Sequence, residues 1–182
     1  MNKLSEDART IVDQSIRKIP NFPKPGIIFR DITTLLSNAE AFSLVMEHLK
    51  TQYLSQNIDF VVGIDARGFI FGASLAQMLN VGFVPIRKKG KLPHHTLSES
   101  YELEYGVDEV EIHADAFDGI KNARVLLVDD LIATGGTAYA AVSLIERTGA
   151  NCIGACFIMN LDDLGGKTKI EEKTQVYSVL NI

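Results

Sequence analysis

Cysteine is scarce: Cys152 and Cys156 are the only two in 182 residues. That count excludes a disulfide scaffold and fits a reducing, cytoplasmic setting. No apolar run approaches the roughly 20 residues that cross a membrane, so no membrane partner is expected. Met1 to Arg9 is polar and carries acids, so no signal peptide is expected either. Positive charge is not in excess. Eighteen Lys and Arg against 23 Asp and Glu leave a net charge of −5, which argues against a nucleic-acid partner. There is no G-x-G-x-x-G, so a dinucleotide site of that kind has no support. Repeats and low-complexity linkers are also missing. His94 and His95 lack a third metal ligand at sensible spacing.

What remains is ordinary globular usage, 46% apolar and 23% charged. The length suits a single domain over 1–182. A chain of this size buries roughly 70% of its unfolded surface.

Ala8, Ile11, Val12, Ile16 and Ile19 recur at helical spacing, with Ser5 as a cap. Pro20, Pro23 and Pro25 then forbid helix, and Ile27 to Phe29 reads as extended. Asn38 caps a second helix carrying Phe42, Val45, Met46 and Leu49. Beyond it, strands and helices alternate. Ile58–Ile64, Gly82–Ile86, Val125–Val128, Cys152–Met159 and Gln175–Leu180 are short apolar runs without alternation, the mark of strands buried on both faces. Cys152 and Cys156 are expected to share one strand face. The predicted fold is α/β, a mostly parallel central sheet flanked by helices. Ser98–His113 alternates instead, with Gly106 between its halves, and predicts an antiparallel hairpin flap projecting from the core.

The strongest chemical signal is Val125-Leu126-Leu127-Val128-Asp129-Asp130-Leu131-Ile132-Ala133-Thr134-Gly135-Gly136-Thr137. It reads as a buried strand ending in two acids, then a small-residue loop opening a helix. Free N–H groups at a helix start suit a phosphate, and Gly135 and Gly136 let the backbone come close to it. Thr134 and Thr137 add hydroxyl donors. Two carboxylates would repel that phosphate, so they suit sugar hydroxyls or the water shell of a magnesium ion. The pattern points to a phosphorylated sugar.

Three further segments carry chemistry. Asp65-Ala66-Arg67-Gly68 sits at another strand end, where Arg67 can fork onto phosphate oxygens or pair with Asp65. Arg87, Lys88, Lys89 and Lys91 are four cations in five residues, ended by Pro93; they suit a cationic lid over residues 88–98 or a solvated loop. Glu102 and Glu104 fall on one face of the hairpin, and either could take a proton. By contrast, Leu161-Asp162-Asp163-Leu164-Gly165-Gly166-Lys167-Thr168 ends like a P-loop but has leucine where glycine is required. It reads as a surface turn.

The Val125–Thr137 string resembles the phosphoribosyl diphosphate (PRPP) signature of the type I phosphoribosyltransferases. Phe22-Pro23-Lys24-Pro25-Gly26-Ile27-Ile28-Phe29-Arg30-Asp31-Ile32, Gly63–Phe69, Arg87–Pro93 and Ser100–Gly106 resemble the adenine branch of that family. The resemblance implies transfer of phosphoribose from PRPP to adenine, giving AMP and pyrophosphate, with magnesium held mainly through PRPP. It implies that Asp129, Asp130, Ala133, Thr134, Gly135, Gly136 and Thr137 bind PRPP or AMP, with Asp65, Ala66, Lys88 and Lys91. Arg67, Arg87 and Glu104 become the catalytic group. Ile28, Phe29, Arg30 and Leu131 become the adenine pocket, with residues 1–35 as a small base-binding hood. The family is dimeric, so a homodimer is expected. A non-catalytic PRPP-binding regulator could lose Glu104 and the basic run, and both are present.

Overall fold

The computed structural model describes residues 2–103 and 106–182, with Leu103 described by its backbone alone. It divides into two compact units, Met1–Gln52 and Tyr53–Ile182.

In the first unit, α1 (Glu6–Ser15) starts where the Ser5 hydroxyl accepts the Ala8 N–H at 3.4 Å. The helix stops earlier than its apolar spacing predicts. Ile16 is already extended, and Arg17–Pro20 forms β1, paired antiparallel with β2 (Ile28–Asp31). The reason is local and then non-local. Ile19 precedes a proline, which disfavours helical backbone, and β2 supplies ladder partners. The turn between the strands uses left-handed Asn21 and Gly26, at φ 60° and 88°. A short helix, α2 (Thr33–Ser37), was not legible from spacing. Asn38 caps α3 (Ala39–Tyr53) as expected, its Oδ1 accepting the Ala41 N–H at 3.1 Å.

The second unit is built on β3 (Phe60–Ile64), α4 (Gly68–Leu79), β4 (Gly82–Lys88), β5 (Thr96–Leu103) and β6 (Gly106–His113). β7 (Arg124–Ile132), α5 (Gly136–Arg147), β8 (Asn151–Asn160), α6 (Gly166–Glu171) and β9 (Val176–Asn181) complete it. Seven strands form one sheet in the order β5-β6-β4-β3-β7-β8-β9. The β4-β3-β7-β8-β9 part is parallel throughout. Val61, Val62, Leu126, Leu127 and Val128 are wholly buried, as runs covered on both faces must be. The hairpin is present as β5 and β6. It extends the central sheet, because β6 pairs antiparallel with Arg87 and Lys88 of β4. Among the described residues no helix is long and apolar enough to cross a membrane.

One strand-face expectation fails. Cys152 pairs with Val125 and Cys156 with Val128, with a register shift between Val125 and Leu126. The bulge adds a residue to β8, so the two thiols leave opposite faces. Both are buried, and burial pushes them up to about 11 and about 12.

Candidate active site

The site lies at the carboxyl ends of β3 and β7, which are neighbours in the sheet. Ligands of open parallel sheets settle at this edge. A cleft of about 360 Å³ opens there, lined by Asp65, Ala66 and Arg67 on one side and Asp129, Asp130 and Leu131 on another. Lys88 and Tyr101 close it from the hairpin side, and Thr137 from the start of α5. A smaller hollow of about 110 Å³ adjoins it, formed by Asp129 and the loop through Thr134, Gly135 and Gly136.

β7 does not end at the paired acids. It continues to Ile132, with Asp129 beside Phe157 and Leu131 beside Met159. The β3 ladder stops at Val128, but the β8 ladder runs on through Asp129, Leu131 and Ile132, so the acids sit on strand and the loop proper is Ala133–Gly135. Gly135 takes φ 78°, a left-handed conformation that opens α5 at Gly136. The hydroxyl-bearing Thr134 is exposed and Thr137 half-buried.

The charged groups are matched in pairs. Arg67 Nε lies 2.6 Å from Asp130 Oδ2, so Arg67 does not take Asp65 as its partner. Asp65 instead accepts from Arg87 Nε at 2.9 Å. Arg87 also donates to the Lys91 carbonyl at 3.2 Å. Lys88 donates to the Tyr101 hydroxyl at 3.0 Å and pairs with Asp108. Asp129 keeps some exposed surface, yet its Oδ1 is turned inward, 2.7 Å from where a side chain on Gly68 would begin. That burial, with the Asp130 charge beside it, holds the Asp129 carboxyl well above the ordinary carboxylate range.

The basic turn after β4 has an anchor that sequence reasoning missed. Buried Glu111 accepts the backbone N–H groups of Lys91 and Leu92 at 2.9 and 2.8 Å. Burial alone would raise its carboxyl, but these N–H donors outweigh burial and hold it below the ordinary value. Tyr101 and Asp108 were missed too. The strand alternation that singled out Glu102 and Glu104 could have flagged Tyr101 as the inward neighbour.

In the first unit, Ile28 is exposed and Phe29 and Arg30 are half-buried on β2. Phe29 meets Phe22 edge to face, ring centroids 5.3 Å apart. Glu104 lies outside the described residues.

Known proteins match this chain across its length. The phosphoribosyl transferase domain family matches residues 31–182. An adenine phosphoribosyltransferase from Sulfurimonas denitrificans is 63% identical over 179 residues, 98% of each chain. This chain belongs to the adenine phosphoribosyltransferase family. Solved structures of the family superpose closely on it. The enzyme from Rhodothermus marinus gives a TM-score of 0.90 at 47% identity, covering 98% of this chain and 100% of that one. The enzyme from Saccharomyces cerevisiae, in complex with an imino-altritol bisphosphate and adenine, gives 0.89 at 38% identity, covering 97% and 100%. The likeness to adenine phosphoribosyltransferases thus reaches most of the first 30 residues, which the domain family does not.

Proposed function

We propose that this protein transfers the phosphoribosyl group of PRPP to adenine, releasing AMP and pyrophosphate in purine salvage. One observation carries the reading. Arg67, in the loop after β3, and the paired acids of β7 line one cleft at adjacent strand ends, and the glycine-rich loop that follows β7 lines the hollow beside it.

The residues divide the work by charge. The N–H groups and hydroxyls from Ala133 to Thr137 bind the ribose 5-phosphate. Asp129 and Asp130 accept the ribose hydroxyls. Arg67 and Arg87, with Asp65, Ala66, Lys88 and Lys91, receive the pyrophosphate. Breaking the sugar–pyrophosphate bond builds negative charge on the leaving group, so cations there favour the transition state over the ground state. Ile28, Phe29 and Arg30, on the hood of residues 1–35, are assigned to adenine, as is Leu131 of β7. A backbone acceptor facing the exocyclic amine would reject hypoxanthine, whose carbonyl leaves both groups unpaired. Glu104 takes the ring proton that adenine loses.

Magnesium fits this donor set. Hard carboxylate oxygens of Asp129 and Asp130 border the cleft, and magnesium prefers one or two such oxygens together with substrate oxygens and water. When bound with PRPP it neutralises charge on the leaving group. We place the enzyme in the cytoplasm and expect a homodimer.

The test is a spectrophotometric assay of adenine, hypoxanthine and guanine with PRPP and magnesium. Strong preference for adenine is the expected result. Equal turnover of hypoxanthine would overturn the adenine assignment.

A further inference from the structure

The segment Leu161–Thr168 reads from sequence as an idle surface turn, yet its backbone runs against the PRPP loop. The Leu161 N–H donates to the Ile132 carbonyl at 3.0 Å, and the Gly166 N–H donates to the Ala133 carbonyl at 3.0 Å. The first bond extends the β7–β8 ladder one residue past β8, and the second ties the start of α6 to the loop. Gly166 is buried. A methyl group built on it would overlap the Ala133 carbonyl oxygen and lie 2.6 Å from the Gly135 nitrogen and 2.8 Å from the Thr134 carbonyl carbon. The contact is mutual, since a side chain on Gly135 would begin 2.8 Å from the Gly166 carbonyl oxygen. Every atom named is main chain, so no rotamer change can relieve a collision.

We infer that Gly166 is a positioning residue for PRPP binding: its missing side chain lets the turn after β8 bear directly on Ala133–Gly135 and hold the phosphate cradle in shape. Gly166 touches no substrate in this role; it acts through the loop. The inference rests on the PRPP reading above. N–H groups that must converge on a phosphate lose their value when the loop can drift, and here a second backbone layer stops the drift. Neighbouring Gly165 differs. It has φ 69°, but a side chain there would meet nothing within 4 Å. Its glycine serves the turn alone.

Two experiments test this. In the first, Gly166→Ala must push the loop by an appreciable fraction of an ångström, and misplacement of about 1 Å can cost about 100-fold. The expected result is a fall of about 10- to 100-fold in kcat/KM for PRPP, with KM for adenine within about twofold. Gly165→Ala should stay within about threefold of wild type on both substrates, since it strains the turn without touching the loop. Unchanged PRPP kinetics in Gly166→Ala, or an equal loss on both substrates, would overturn the inference. The second experiment needs no variant. Hydrogen exchange of the wild-type enzyme is followed with and without saturating PRPP and magnesium. Peptides covering 131–139 and 161–168 should gain protection together. Protection of 131–139 with none in 161–168 would overturn the inference while leaving the PRPP reading intact. Protection of neither would overturn the PRPP reading, and this inference with it.

Discussion

Nε of Arg67 sits 2.6 Å from Oδ2 of Asp130, tying the loop after β3 to the end of β7. The arginine is 44% exposed and the aspartate 7% exposed, so the pair is half in water and adds little to stability. Its significance is chemical. It sets the acid proposed to hold the ribose against the cation proposed to hold the pyrophosphate. A second ion pair, Arg87 with Asp65, joins the end of β4 to the cleft-lining Asp65.

Asp130→Asn is therefore expected to damage PRPP use selectively. A hydrogen bond to a charged group contributes about 1.5–3 kcal/mol, so KM for PRPP should rise roughly 10- to 100-fold. KM for adenine should stay within about twofold. Steady-state kinetics with each substrate varied in turn will check this. An unchanged response to PRPP would make the acid structural.

Asp129→Asn is expected to gain stability while losing activity. The Asp129 carboxyl is held above its ordinary value by burial first and by Asp130 second. A group raised in the folded state binds its proton more tightly there than in the unfolded chain. Stability is then full below the unfolded pKa of about 3.9 and falls as pH rises towards the folded value. The neutral amide escapes that loss. Its melting temperature should exceed the wild type's at pH 7, and the gap should close as pH falls towards 4. Equal melting temperatures at both pH values would contradict the burial argument.

For Glu111 the sign is reversed. Its carboxyl is held below the ordinary range by backbone donors, so its contribution is present above the unfolded pKa of about 4.3 and is lost as pH falls through the folded value. Glu111→Gln should cost about 1–2 kcal/mol at pH 7, and less as the pH drops below about 4. Urea unfolding at both pH values measures it. The variant should also weaken PRPP use, because the turn carrying Lys91 loses its anchor. A gap that does not change with pH would show that the charge is immaterial.

Glu104→Gln tests the proton step. A positioned acid or base supplies about 100- to 10,000-fold, so turnover should fall by about 100-fold or more with little change in melting temperature. Exposed Glu102, two residues earlier, is the control, and Glu102→Gln should keep its turnover. The reverse outcome would move the proton-handling acid to Glu102.

Apolar runs without alternation were enough to read the buried parallel strands, because a strand covered on both faces can tolerate no polar side. Asn38 as a helix cap was legible for an equally local reason: a side-chain oxygen reaches only three residues along the chain. The order strand, glycine-bearing loop and helix was legible from Val125–Thr137 because a helix start and a left-handed glycine both depend on adjacent residues.

Partner choice was not legible, because it is decided by which strand ends become neighbours. Arg67 had one candidate acid in the sequence reading, neighbouring Asp65; sheet order placed Asp130 against it and left Asp65 to Arg87. One bulged residue in β8 moved Cys152 and Cys156 to opposite faces, which spacing along a single strand cannot reveal. β1 formed where helical spacing ran on to Ile19, because β2 offered it a ladder. Gly166 gained its place under Ala133–Gly135 only when β8 paired with β7 and carried the following turn to the loop. Local chemistry acts over a turn of chain, whereas these contacts join segments far apart in sequence, and only the closed sheet brings their backbones within hydrogen-bond reach.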